Sequence, residues 1–425
     1  MGMTITEKLI ARASGKGRLS PGDVVFAKVD KVMVHDVSGP GVKVVFDELE
    51  REGRKVETLW DPTKVWVAED HFVPCSDTQS AQNIGTLERF VAQYHISKHF
   101  RYGVGQYGIC HTLSHEGGLV LPGEVYVGGD SHTNTTGALG AFAVGLGHTD
   151  VAYVLINGFI WFRVPQTYLF RIEGTMPDYL MAKDVILRII GDIGTEGGAY
   201  RAMQFTGSAV KPMVMDERLT LTNMTTEAGA KNGIIEPDET TLEHVRARTP
   251  DPFSPLYGDP DAEYAAVFDY DVRDLVPLVA RPYSPANVAA VAEEGSVEID
   301  KAYVGSCTGA KLTDLREVAK ILKGRKVKVR TEILPAAQSI YLQALKEGLI
   351  QVFLEAGVVV GPPTCGACCG AHMGVLRKDE VCVSTTNRNF PGRMGDRESK
   401  AYLASPKTVA ASAVTGRLTD PRDLR

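Results

Sequence analysis

This sequence predicts an α/β protein built on parallel, doubly wound sheets. Short β-branched runs alternate with segments whose apolar residues recur at helical spacing. Polar and sulfur-bearing residues repeatedly follow those runs, where loops leave the carboxyl edge of a sheet. At ~100–200 residues per domain, 425 residues give two to four domains, each able to bury a core.

In the first third, Val65-Trp66-Val67-Ala68 reads as a strand ending at Glu69-Asp70-His71. Val125-Tyr126-Val127 reads as another, ending at Gly128-Gly129-Asp130-Ser131-His132. The glycines between 137 and 147 lack the spacing of a phosphate loop and predict close helix packing. In the middle, Pro250, Pro252, Pro255 and Pro260 predict a long surface loop between 246 and 261. The last third is the most regular. A strand over 297–304 runs into Gly305-Ser306-Cys307-Thr308-Gly309, and Leu312, Leu315, Val318, Ala319 and Leu322 mark a helix that Gly324 closes. A strand over 327–334 stops at Pro335, and one helix carrying Tyr341, Leu345 and Leu349 follows. Strands at 358–360 and 381–384 then lead into Gly361-Pro362-Pro363-Thr364-Cys365 and Thr385-Thr386-Asn387-Arg388-Asn389-Phe390.

Forty-six basic against fifty-two acidic side chains, a net charge of −6, speak against a dedicated nucleic-acid binder. The longest uncharged apolar stretch, 151–162, falls short of the ~18 residues of a spanning helix. The first residues lack an apolar signal core, so a cytoplasmic location is expected. In that reducing setting seven cysteines point to metal binding or chemistry rather than disulfides.

Cys365-Gly-Ala-Cys368 alone has three readings: a redox pair, half of a zinc site, or part of an iron–sulfur cluster. Zinc would take Cys307, Cys365 and Cys368 with His372 or Cys369; a four-iron cluster would take the three thiolates and leave one iron open. Cys75, Cys110 and Cys382 read as small buried residues. Arg388 and Arg393 offer planar forks for a di- or tricarboxylate. Asp70, His71, His111, Asp130 and His132 supply acid–base groups in loops after strands.

Taken together these motifs resemble the aconitase family. The combination is specific: the Gly-Ser-Cys-Thr loop at Cys307, the Cys365/Cys368 pair, and Thr-Asn387-Arg388-Asn389-Phe390-x-Gly-Arg393. Asp130-Ser131-His132-Thr133, Asp70-His71 and Asn223-Met224-Thr225-Thr226-Glu227 complete it, so the likeness spans essentially the whole chain. The length, Thr6-Glu7-Lys8 and Tyr402-Leu403-Ala404-Ser405-Pro406 are similar to the family's stand-alone large subunits.

The resemblance implies three α/β domains, at 1–163, 164–285 and 286–425, around a central iron–sulfur cluster cleft, without the family's swivelling fourth domain. It implies that Cys307, Cys365 and Cys368 hold a [4Fe–4S] cluster oriented by Asn223 and Asn387. Asp70 and His71 would protonate the departing hydroxyl, supported by His111, Asp130 and His132. Glu227 would bind the water, while Ser131, Arg388 and Arg393 would hold substrate. A serine base would come from a separate small subunit carrying the swivelling domain. The expected activity is a hydro-lyase that isomerises 2-isopropylmalate and 3-isopropylmalate in leucine biosynthesis; homoaconitase-type or dimethylmalate chemistry are alternatives. A non-catalytic metal-binding regulator is the alternative of another class. Gly309, Lys311, Thr364, Asn134, Thr136 and the extra Cys369 depart from the family pattern without removing a ligand.

Overall fold

A computed structural model describes residues 2–424. The chain groups into two compact units: Met1–Arg171 with Gly198–Thr206 and Gly229–Asp269, and Ile172–Gly197 with Gly207–Ala228 and Tyr270–Arg425.

The first unit holds a five-stranded sheet ordered Lys98–Phe100, Val65–Ala68, Lys31–His35, Val125–Gly128, Phe142–Gly145, all neighbours parallel. Alternate strand residues feed two different cores. Val32, Val34, Val65, Val67, Val125 and Val127 enter one, while Met33, Trp66, Ala68 and Tyr126 enter the other. Burial on both faces is why these strands read as nearly continuous apolar runs. A four-stranded sheet lies largely in this unit, ordered Asn232–Ile235, Ala202–Thr206, Thr167–Glu173, Ala266–Asp271. The antiparallel pair Val24–Lys28 and Phe159–Arg163 completes the strands here.

The second unit holds a seven-stranded sheet. Its order is Val288–Ala290, Leu278–Ala280, Lys400–Ala404, Val381–Ser384, Lys301–Val304, Arg330–Ile333, Val359–Val360. The last five strands run parallel and the first two are added antiparallel at one edge.

Both parallel sheets are wound alike. In the first, the chain starts at central Lys31–His35, moves outward through Val65–Ala68 and Lys98–Phe100, then returns to add Val125–Gly128 on the other side. In the second, Lys301–Val304 is central and the return comes at Val381–Ser384. Neighbouring loops diverge where the strand order reverses, which opens a crevice at the carboxyl ends of those strands. Acidic and imidazole groups collect at strand ends in the first unit, and the cluster-candidate thiols do so in the second.

Several expected elements differ in detail. The strand expected over 297–304 is Lys301–Val304. Val297 and Ile299 bond instead to Leu418 and Gly416, outside the sheet. The single helix expected through Tyr341 and Leu349 is two, Gln338–Lys346 and Leu349–Ala356, because Gly348 adopts φ 76° between them. Gly137 does mark a close approach, yet to a strand and not a helix: a Cβ there would lie 1.7 Å from the Gly233 carbonyl. Residues 247–260 carry no helix or strand, as the prolines predicted. Among the described residues, no helix is long and apolar enough to cross a membrane.

Candidate active site

In the first unit the site is organised around two carboxylates, the fully buried Asp70 and the half-buried Asp130. Asp70 is fully buried; its Oδ1 lies 2.8 Å from His71 Nδ1, and its Oδ2 accepts the Cys110 N–H at 2.7 Å. Burial by itself would raise this carboxyl, but the charge and hydrogen bond of His71 hold it far below the usual range. Asp130 caps the segment Ser131–Leu139 by accepting the His132 N–H at 2.8 Å. Its oxygens also meet four imidazoles: His111 Nε2 at 2.7 Å, His132 Nδ1 and His35 Nε2 at 3.7 Å, and His71 Nε2 at 3.9 Å. Burial again acts upward, and His111, His132 and His35 together keep Asp130 ionised. Burial also pushes the His111 imidazole down, against the pull of Asp130. Ser131 is exposed next to His132, its hydroxyl 3.5 Å from Nδ1.

Sequence reasoning missed His35 and Asp36, which leave the central strand at the crevice. Asp36 accepts the N–H groups of Asp70, His71 and Phe72, so it fixes the loop that presents the Asp70–His71 pair. Its own carboxyl is raised by burial and by the charge of Asp70. His35 Nδ1 accepts from Val37 N at 3.0 Å, which leaves Nε2 as the protonated nitrogen facing Asp130. The His35 ring also stacks on His71 with centroids 4.4 Å apart. Parallel register was the missing signal, since it sets the end of Lys31–His35 beside the end of Val65–Ala68.

The second unit gathers the cysteines and asparagines. Cys307 follows Lys301–Val304 through Ser306, which holds φ 76°. Asn223 Nδ2 donates to Cys307 Sγ at 3.0 Å. Asn387 uses both ends of its amide. Nδ2 reaches Cys307 Sγ at 3.6 Å and Asn223 Oδ1 at 3.3 Å, and Oδ1 accepts from Cys368 Sγ at 3.6 Å. Cys365 opens the short turn Gly366–Cys369, and its carbonyl accepts the hydroxyl of the buried Tyr303 at 3.3 Å. Cys369 is turned away, its Sγ donating to the Gly366 carbonyl at 3.5 Å. Arg388 Nε donates to both oxygens of buried Glu227 at 3.0 Å. Arg393 is half-buried in the turn after Asn389, its N–H bonded to the Phe390 carbonyl. Asn389 pins that turn to the carbonyls of Ala280, Arg281 and Ala401.

The donor set fits an iron–sulfur cluster better than a single ion. Cys307, Cys365 and Cys368 are all buried and unbridged. Tetrahedral zinc with ~2.3 Å bonds would hold thiolates within ~4 Å of one another. Among the described residues, the groups whose ligand atoms converge within 4.8 Å contain only His, Asp and Glu. Asn223 and Asn387 supply amide N–H groups toward sulfur, as cluster ligands require of their surroundings.

Of the thiols expected to be buried, Cys110 and Cys382 are, but Cys75 is exposed. It follows the cis Val73–Pro74 bond in a surface loop, where no apolar strand residue brackets it. Two lysines of this region are buried: Lys183, which sequence reasoning did not single out, and Lys311, noted there only as a departure from the family pattern. Lys183 and Lys311 are each 1 % exposed. Lys311 bonds Asp314, Thr220 and the Cys307 carbonyl; Lys183 bonds the carbonyls of Thr385 and Thr386. Burial and the Lys311 charge push Lys183 down to about 7, while Cys368 and Cys307 act in the opposite sense.

The model of the aconitase family (aconitate hydratase) matches residues 7–298 and 292–416. The 3-isopropylmalate dehydratase large subunit of Heliobacterium modesticaldum is 48 % identical over 426 residues, covering 100 % of both chains. That of Aquifex aeolicus is 46 % identical, over 100 % of this chain and 98 % of that one. The 3-isopropylmalate dehydratase large subunit 1 of Methanopyrus kandleri is 47 % identical over 99 % of each. Among solved structures, the holo-form of Thermococcus kodakaraensis aconitase X superposes with a TM-score of 0.49 at 13 % identity, over 94 % of this chain and 98 % of that one, a likeness too distant to carry weight. Matched along nearly its whole length by one family model and by full-length relatives, the chain belongs to the aconitase family.

Proposed function

We propose that the chain is the large subunit of a 3-isopropylmalate dehydratase, a hydro-lyase that interconverts 2-isopropylmalate and 3-isopropylmalate in leucine biosynthesis. The observation that carries this reading is the end-to-end match, at 46–48 % identity, to relatives of that name.

Cys307, Cys365 and Cys368 would hold a [4Fe–4S] cluster, with Asn223 and Asn387 both donating to the Cys307 sulfur. Bound through three thiolates, such a cluster supplies an iron with an open position, a Lewis acid toward a hydroxyl and a carboxylate. The chain's own residues do the rest. His71 Nδ1 is engaged by ionised Asp70, so Nε2 is the nitrogen that gives a proton to the departing hydroxyl. Asp130 engages His111 Nε2 at 2.7 Å and the His132 backbone N–H at 2.8 Å, and these three groups support His71. Glu227, neutralised by Arg388, stays an acceptor for water. Arg388 spends Nε on that contact and keeps its two terminal nitrogens for a substrate carboxylate. Arg393 and Ser131 are assigned to substrate on the family pattern.

The name large subunit implies a small-subunit partner. We assign to that partner the swivelling domain and the serine base. We retain three domains divided at 163 and 285 on the strength of the sheets, since strands of the five-stranded sheet end at Gly145 and those of the four-stranded sheet fall between Thr167 and Asp271, while the two compact units share residues 164–285 between them. Anaerobic purification with iron and sulfide analysis, followed by assay of 2-isopropylmalate with the small subunit added, tests the function. Stoichiometric zinc in place of iron, or no turnover of any alkylmalate, would overturn it.

A further inference from the structure

The second unit buries two ammonium groups beneath the cysteine-bearing loops, and they are not treated alike. Lys311 Nζ lies 3.1 Å from the Asp314 carboxylate and is an internal ion pair. Lys183 Nζ meets only neutral oxygens: the carbonyls of Thr386 at 2.6 Å and Thr385 at 3.1 Å, and Thr308 Oγ1 at 3.5 Å. Among the described residues no carboxylate pairs with it. An uncompensated buried cation is costly even after relaxation. If fastening two carbonyls were its whole purpose, a neutral amide would serve without that cost. The three oxygens are placed tellingly. Thr308 follows Cys307, and Thr385-Thr386 lead into Asn387, whose amide meets Cys307 and Cys368.

We propose that Lys183 is a positioning residue whose ammonium is the built-in counter-charge for the cluster, holding the Cys307 and Asn387 loops while it offsets the negative charge brought by three thiolates. This rests on the reading that Cys307, Cys365 and Cys368 hold an iron–sulfur cluster. Nearby charge is one of the levers that set a cluster's reduction potential. Removing a cation should make the cluster harder to reduce.

The test is a redox titration of the bound cluster, followed by electron paramagnetic resonance, in wild type, Lys183→Met and Lys183→Arg. The expected result is a more negative potential in Lys183→Met at wild-type iron content, and a potential close to wild type in Lys183→Arg. Loss of iron from Lys183→Met but not from Lys183→Arg would show the same charge requirement through retention. An unmoved potential in Lys183→Met, or an equal shift or loss in both variants, overturns the proposal. So does a cluster-free Lys183→Met chain that fails to fold, because the ammonium would then serve the bare chain. A wild-type chain that takes up no cluster removes the underlying reading as well; a loaded wild type with unmoved variants removes this inference alone.

Discussion

Asp130 shows how much of one residue's role lies beyond its own motif. Its place before Ser131-His132 was legible, because a carboxylate after a strand and before a turn is a natural N-cap. What made it a hub was not legible: three of the four histidines around it come from other elements, a strand end at 35, a loop at 71 and a helix at 111. The cysteines divide in the same way. Spacing separated Cys365 and Cys368 from Cys369, whose Sγ bonds the Gly366 carbonyl. Cys307→Ser, Cys365→Ser and Cys368→Ser should each lose the cluster, and Cys369→Ser should retain it. Iron analysis after reconstitution decides this; full iron in Cys365→Ser would dismiss that ligand. Lys183 lay outside the reach of sequence. A lysine on an amphipathic helix reads as a solvated charge, and only the packing of Ala182–Ile193 buries it.

At the level of elements, strands and their exits were readable and their edges were not, because pairing partners decide where a strand stops. Val381–Ser384 matched its apolar run; 297–300 did not, since Val297 and Ile299 find bonds outside the sheet. The unusual Gly309 has an explanation here. A Cβ on it would fall 2.1 Å from Thr385 Cβ and 2.2 Å from Thr385 Oγ1, and that hydroxyl clamps Gly305 at both its N–H and its carbonyl. Gly309→Ala should therefore wedge the Cys307 loop off the Thr385 strand end. We expect a loss of about 1–3 kcal/mol in stability together with weakened cluster retention. Denaturant unfolding and iron content measured side by side check it, and a variant as stable as wild type would show that Thr385 can give way. Glu124, at the entry to Val125–Gly128, gives a pH dependence. Burial first, with the nearby Asp30 charge, pushes its carboxyl up to about 7 while it accepts the Leu121 N–H. A folded-state value above the unfolded one means the stabilisation is complete at low pH. It is lost as pH rises from about 4.5 through about 7, at a cost of order 1–3 kcal/mol. Glu124→Gln keeps an acceptor for Leu121 and removes the charge, so the fall in stability between pH 5 and pH 8 should flatten. Parallel slopes for variant and wild type would exclude Glu124 as its source.

For the whole molecule, the α/β class and the family were legible because sequence-local motifs carry them. The strand order that the two parallel sheets share was not, since order is a long-range property that no window of sequence contains. The functional groups fall into two sets at strand exits: His35, Asp70 and Asp130 at or after the ends of Lys31–His35, Val65–Ala68 and Val125–Gly128, and Cys307, Cys365 and Asn387 after Lys301–Val304, Val359–Val360 and Val381–Ser384. On the proposed assignment, the chain's residues supply a proton donor at His71, carboxylate grips at Arg388 and Arg393, and three cluster thiols. The family pattern identifies no serine within them as the base that takes the carbon-bound proton. A positioned base contributes ~10²–10⁴-fold to such a proton transfer. The large subunit alone should then bind its cluster with normal iron content and turn over 2-isopropylmalate at least ~10²-fold more slowly than the two-subunit enzyme. Adding the purified small subunit should restore the rate in proportion to complex formed, and a small subunit lacking its serine should bind without restoring it. Full activity from the isolated large subunit would place the base within these 425 residues and dissolve the proposed division of labour.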